Sequence, residues 1–145
     1  MASFTRSGES VWKGSGADGK GHLTTQSGVV SNVPYGAKMR FGDEKGTNPE
    51  ELLAIAHAGC FNMALAYGLT GAGKPPEELR TTAKVTIESD GPGFSITKIS
   101  LELRGKVPGM SSDDFKKAAE GAKAGCPVSK LFKGAEIALD AELVS

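Results

Sequence analysis

The stretch from Thr47 to Leu69, TNPEELLAIAHAGCFNMALAYGL, limits what this chain can fold into more than any other part of it. Its start is well specified: Asn48 can cap a first turn, Pro49 is preorganised for the first helical position, and Glu50 and Glu51 oppose the positive end of the helix dipole. Between Leu52 and Leu69 only His57 and Asn62 are strongly polar, so the helix is apolar on nearly every side and is expected to be buried. The run is long enough to raise a membrane-spanning reading. Its acidic start, glycine-rich exit, internal His57 and Asn62 and interspersed alanines and glycines argue against insertion. Other elements of the same protein must then bury it, and they must be found on either side.

Upstream, FTRSGESVWK and HLTTQSGVV flank a run of glycines and read as a β-hairpin, with the Asp18-Gly19 pair expected to supply positive φ in its turn. The segment YGAKMRF alternates, with Tyr35, Ala37, Met39 and Phe41 on one face and Lys38 and Arg40 on the other, the pattern of a half-buried strand. Downstream, GAGKPPEEL stops the helix. TTAKVTIESD and FSITKISLELRGKV then alternate around an Asp90-Gly91-Pro92-Gly93 loop, a second hairpin. Ser111 to Asp114 open a second helix with a narrower apolar side, built on Phe115, Ala118, Ala119 and Ala122. Gly125 ends it, Cys126-Pro127 begins a short further turn, and AEIALDAELV is a last strand. This order gives an α+β class, with two sheets or one curved sheet packed against two helices. A chain of 145 residues is of single-domain size, so residues 1–145 are read as one domain. The first hairpin is small and glycine-rich, which favours a homodimer in which each chain completes the other's core.

Charge and cysteine content narrow the functional classes. Seventeen basic and seventeen acidic residues leave no net charge, so neither nucleic acid nor a membrane surface is expected as a partner. Two cysteines cannot make a disulfide scaffold, and MASFTRSGESVW lacks the pattern of a secretion signal, so the thiols are expected in a reducing cytoplasm. The positions 22, 57, 60 and 126 of the histidines and cysteines match no compact metal-ligand pattern, and no metal or other cofactor is expected. The glycine-rich GSGADGKG opens a strand and lacks the Lys-Ser/Thr ending of a phosphate loop.

Each cysteine has two readings. Cys60 in mid-helix is either a small packing residue or a nucleophile, and Cys126, before Pro127 at a helix start, is either the same or a stabilised thiolate. If both are functional, the economical chemistry is a peroxide cycle: one thiolate takes an oxygen to become a sulfenic acid, and the second thiol condenses with it to a disulfide. A mid-helix thiolate needs a cation. Arg40 is the best candidate, oriented by a carboxylate from Glu50 or Glu51. Glu50 precedes Cys60 by ten positions, about 15 Å along an unbroken helix and about 80° around it. Either the helix breaks, with Gly59 the weakest point, or a partner subunit supplies the carboxylate, and the second is favoured. His57, one turn before Cys60, is either a core residue or a base.

The segment PYGAKMRFGDEKGTNPEELLAIAHAGCFNMAL closely resembles the region around the first reactive cysteine of the OsmC/organic hydroperoxide resistance family, and CPVSKLF resembles that around its second. The hairpin W-K-G, G-K-G and T-Q-S-G-V is similar too. The resemblance implies an intertwined homodimer of antiparallel sheets wrapped around long buried central helices. It implies reduction of organic hydroperoxides, and more weakly hydrogen peroxide, with an external dithiol as reductant. By position, Cys60 would attack peroxide, Cys126 would resolve, and Arg40 with Glu50 would be the activating pair. An arginine just before the helix is more similar to the OsmC branch than to the other. The reading from a different class is a non-catalytic dimeric binding protein, whose apolar helix lines a pocket for a lipid-like ligand and whose thiols only pack.

Overall fold

The computed structural model describes residues 2–134 and 136–144. The chain divides into two compact units, residues 1–49 and 50–145.

The first unit is a three-stranded antiparallel sheet in the order β1 (Gly8–Lys13), β2 (Lys20–Thr25), β3 (Val33–Tyr35), followed by the short helix α1 (Ala37–Phe41). The first hairpin forms as expected, but its turn chemistry is different. Positive φ falls on Gly14, at 99°, not on Asp18 or Gly19. Gly19 is required for room instead: a Cβ there would strike the carbonyls of Ser15 and Lys13 and the indole of Trp12. Gly21 makes room in the same way for the Trp12 and Tyr35 rings, whose centroids are 5.3 Å apart.

The expected strand through YGAKMRF is corrected. β3 stops at Tyr35, and Ala37–Phe41, including Arg40, is helical. The amides of Met39 and Arg40 both bond back to the carbonyl of Gly36. Seven residues are too few to separate a period of two from one of 3.6, because Ala37 and Phe41 share a face in either conformation. The Asn48 side-chain amide donates to the Met39 carbonyl at 3.1 Å, which ties the end of this unit back to α1.

The second unit is built on α2 (Pro49–Gly71), whose ends match the sequence reading closely. β4 (Glu78–Ser89) and β5 (Phe94–Lys106) follow as an antiparallel pair, closed by a loop in which the Asp90 amide bonds to the Gly93 carbonyl and Gly91 takes φ 91°. Then come α3 (Ser112–Gly125), α4 (Pro127–Leu131) and β6 (Glu136–Leu143). Ser111 caps α3 by accepting from the Asp114 amide. The sheet order is β4-β5-β6, and β6 runs parallel to β5, so this sheet is mixed rather than antiparallel. A parallel neighbour needs a long crossover, which α3 and α4 provide, and alternation within AEIALDAELV cannot reveal its direction.

One face of this sheet carries the core. Ile99, Leu101 and Leu103 of β5 meet Phe61, Leu65 and Leu69 of α2 and Phe115 and Ala119 of α3, all buried. Within α2, His57, Phe61, Leu65 and Leu69 recur every fourth position and face inward. The opposite side is open: Ile55 is 65% exposed, Met63 62% and Tyr67 75%. Within the second unit, the sheet and α3 therefore bury only one side of a helix expected to be buried all round. The helix is also continuous through Gly59, which removes the option of a break between Glu50 and Cys60.

Candidate active site

The second unit brings the two cysteines together. Cys60 lies in the middle of α2 beside the core residue Phe61, and Cys126 sits at the corner between α3 and α4. Pro127 forces that corner, since it cannot continue α3 and pushes the residue before it into an extended conformation; Cys126 has φ −59° and ψ 128°. The thiols, 66 positions apart in sequence, are thus brought together so that the Cys126 and Cys60 sulfurs are 2.9 Å apart, with both thiols free. Cys126 is fully buried, while Cys60 is partly open to solvent.

The two thiols have opposite electrostatics. Burial pushes the Cys60 thiol up, the contact with Cys126 raises it further, and only a hydrogen bond from the Val128 amide opposes them. Burial also acts to raise Cys126, but the contact with Cys60 and the hydrogen-bonding groups of Ser129 and Val128 outweigh it and hold the thiol below its ordinary value. Individual N–H and O–H donors do this. α4 has only five residues and little dipole of its own. Cys60 by contrast needs a positive charge from elsewhere to ionise.

His57 is also part of this cluster. It is fully buried, its Nε2 is 2.7 Å from the Ser129 Oγ, and its ring meets Phe132 edge-on at 5.4 Å. Its Nδ1 has no hydrogen-bond partner among the described residues. Burial pushes its pKa below the ordinary value, so the ring is neutral at neutral pH. Ser129 is visible in the sequence only as part of a first turn after Pro127. The signal that could have found it is its place three residues after Cys126, where a hydroxyl on a helical turn can reach back to the sulfur.

The remaining expected residues belong to other parts of the chain. Glu50, 8% exposed, is in the first turn of α2, and the unbroken helix holds it about 15 Å along the axis from Cys60. It cannot share one small site with Cys60 of the same chain. Glu51 is exposed. Arg40 is on α1 in the first unit, with its guanidinium carbon 5.2 Å from the centroid of the Phe41 ring. His22 is on β2 of the same unit.

The family model described as OsmC-like protein matches residues 42–141. Among named relatives, the chain is similar to the peroxiredoxin OsmC of Escherichia coli (strain K12), 48% identical over 140 residues and 97% of each chain. It is also similar to the organic hydroperoxide resistance protein-like 1 of Staphylococcus epidermidis, 33% identical over 127 residues, 86% of this chain and 89% of that one. Among solved structures, an organic hydroperoxide resistance protein from Elizabethkingia anophelis superposes with a TM-score of 0.74 at 26% identity, covering 97% of both chains. An OsmC-like protein from Mycoplasma pneumoniae shares the fold, with a TM-score of 0.78 at 15% identity over 99% of this chain and 100% of that one.

Proposed function

This chain belongs to the OsmC-like family, and on that premise we propose that it is a thiol-dependent peroxidase that reduces organic hydroperoxides, and more weakly hydrogen peroxide, with Cys60 and Cys126. The observation that carries this reading is the pair of free sulfurs at 2.9 Å. The Cys60 thiolate attacks one oxygen of the hydroperoxide, the O–O bond breaks, Cys60 becomes a sulfenic acid, and the other oxygen leaves as the alcohol with the thiol's proton. Cys126 then attacks the sulfenic sulfur, the S–O bond breaks, and water leaves a disulfide that an external dithiol reduces. The order follows from access: peroxide reaches the partly open Cys60, while Cys126 is fully buried.

Cys60 also needs a cation, since burial and Cys126 both oppose its ionisation. In this proposal Arg40, oriented by Glu50, supplies it. Because Glu50 stands about three turns from Cys60 on one straight helix, the activating pair acts across an intertwined homodimer. One copy's α2 then contributes its cap end to one site and its cysteine to the other. The exposed apolar side of α2, with Ile55, Met63 and Tyr67, supports burial against a second copy.

The test is turnover of cumene hydroperoxide by the purified protein with a dithiol reductant. Cys60→Ser should abolish it and Cys126→Ser should remove the intramolecular disulfide. Full turnover in Cys60→Ser would refute the assignment. Native thiols that resist labelling, with no disulfide after a stoichiometric peroxide pulse, would favour the binding-protein reading instead.

A further inference from the structure

We infer that His57 is the positioning residue of the resolving thiol: through its hydrogen bond to Ser129 it latches α4 onto α2 and so holds Cys126 against Cys60. The inference rests on Cys60 and Cys126 closing a disulfide, and it gives a role to two residues outside the four already assigned.

α4 cannot hold its own place. It has five residues, far fewer than a helix needs to be stable alone in water, so its position comes from what it touches. Its turn moves as one piece, because the Lys130 amide bonds to the Cys126 carbonyl at 3.1 Å and the Phe132 amide bonds to the Val128 and Ser129 carbonyls. Wherever that turn goes, Cys126 at its start goes with it. The turn is tied to α2 at Ser129, whose Oγ lies 2.7 Å from the His57 Nε2, with both residues buried. Phe132, which ends α4, meets the same imidazole edge-on. An apolar side chain would fill the His57 space without leaving Nδ1 unpartnered among the described residues. What the imidazole adds is Nε2 and its bond.

The latch lies beside the reacting atoms. His57 precedes Cys60 by three positions and Ser129 follows Cys126 by three positions, so at each end the bond is just under one helical turn, about 4.5 Å along the axis, from the sulfur. Two points of attachment fix the direction of a short helix, where one leaves it free to swing. The sulfur contact alone is a poor anchor, since a thiol is a weak donor and a weak acceptor. It is also the contact that an added oxygen disturbs when Cys60 becomes a sulfenic acid. The Nε2–Oγ bond involves neither sulfur and keeps Cys126 placed until closure. It forms in either imidazole tautomer, because a serine hydroxyl both donates and accepts. In closure the Cys126 thiol gives up its proton, the S–S bond forms as the S–O bond breaks, and the oxygen leaves as water with that proton. His57 neither gains nor loses a proton in this step.

The test has two readouts. Equilibration against mixtures of reduced and oxidised dithiothreitol gives the effective concentration of the two thiols. A single turnover with one equivalent of cumene hydroperoxide gives sulfenic acid formation from peroxide loss, and closure from the decay of dimedone-trappable sulfenic acid. Ser129→Ala and His57→Leu should each lower the effective concentration by about 10-fold, a rise in potential of about 30 mV, because the unlatched reduced protein gains freedom that the disulfide removes. Closure should slow by about 10-fold or more, with the loss falling on closure and not on sulfenic acid formation. The double variant should be no worse than the worse single one, since both break the same bond. His57→Gln keeps an amide that can bond Ser129 and cannot act as a base, so it should recover most of the loss. A histidine that only supported the fold would lower the unfolding free energy of reduced and oxidised protein alike and leave the dithiothreitol equilibrium unmoved. An unchanged effective concentration in Ser129→Ala, or a His57→Gln as impaired as His57→Leu, would overturn the latch. Absent sulfenic acid formation in the wild type would defeat the peroxidase reading while the dithiothreitol equilibrium still judges the latch.

Discussion

Oxidation of this protein should stabilise it by an amount that the chain's path sets. Joining Cys60 to Cys126 closes a loop of 66 residues in the unfolded state, and the chain-entropy estimate for such a loop is about 4 kcal/mol. The folded state should give little of this back. Both cysteines belong to one packed core, with Phe61 beside the first and Ala122 one turn before the second. The sulfurs stand at 2.9 Å, so bond formation at about 2.04 Å asks for a movement of under an ångström. The assay is urea unfolding at one protein concentration, comparing protein oxidised by a stoichiometric hydroperoxide pulse with protein reduced by a dithiol. Because a cross-link also makes the unfolded state more compact, free energies extrapolated to water are compared, not midpoints alone. A gain near 4 kcal/mol corresponds to about 8–16 °C in Tm for a chain of this size. Cys126→Ser, treated the same way, should show no gain. A verified intramolecular disulfide with unfolding free energy equal to or below that of the reduced protein would refute the reasoning, since it would mean that the cysteine geometry must be distorted to close.

Three further perturbations address the packing and electrostatics around the site. Phe61→Ala removes a fully buried ring next to Cys60 and should cost about 3–5 kcal/mol in urea unfolding. His57 has its folded-state pKa lowered below the ordinary 6.5 by burial, so the unfolded state binds the proton more readily. Its contribution is present in full above pH 6.5 and is lost as pH falls from there through the folded value. Unfolding free energies across this range should slope downward toward acid, and His57→Gln should flatten the slope. Met63→Lys, placed on the open side of α2, should shift the proposed homodimer toward monomer in analytical ultracentrifugation while leaving the far-ultraviolet circular dichroism of each chain unchanged, and a wild type that sediments as a monomer would refute the proposed assembly.

The sequence is most informative where a local rule has no competitor. Pro49 marks where α2 begins, the long alternation of Ala83, Val85, Ile99, Leu101 and Leu103 specifies the β4–β5 hairpin, and Ser111 marks the start of α3. Alternation fails in YGAKMRF because a segment so short satisfies a helix as well, and β3 ends at Tyr35 just before it. The parallel direction of β6 depends on its crossover and leaves no trace in its own residues. Glycine chemistry misleads in the first turn, where Gly19 is needed for space against Trp12 and Gly14 takes the left-handed conformation. The residues alone permit Cys60 and Cys126 to meet without requiring it, because their contact depends on how α2 and the α3–α4 corner come together across a shared core. Ser129 carries no signal of its own for the same reason. Its significance comes from His57, which reaches it only in three dimensions.

The most direct measurement is the intact mass of three proteins after one equivalent of cumene hydroperoxide: the wild type, Cys126→Ser and Cys60→Ser. If Cys60 attacks and Cys126 resolves, the wild type loses two hydrogens, Cys126→Ser gains one oxygen that dimedone traps at Cys60, and Cys60→Ser is unchanged. A gain of oxygen at Cys126 in Cys60→Ser, or a wild type left untouched by the hydroperoxide, would contradict it.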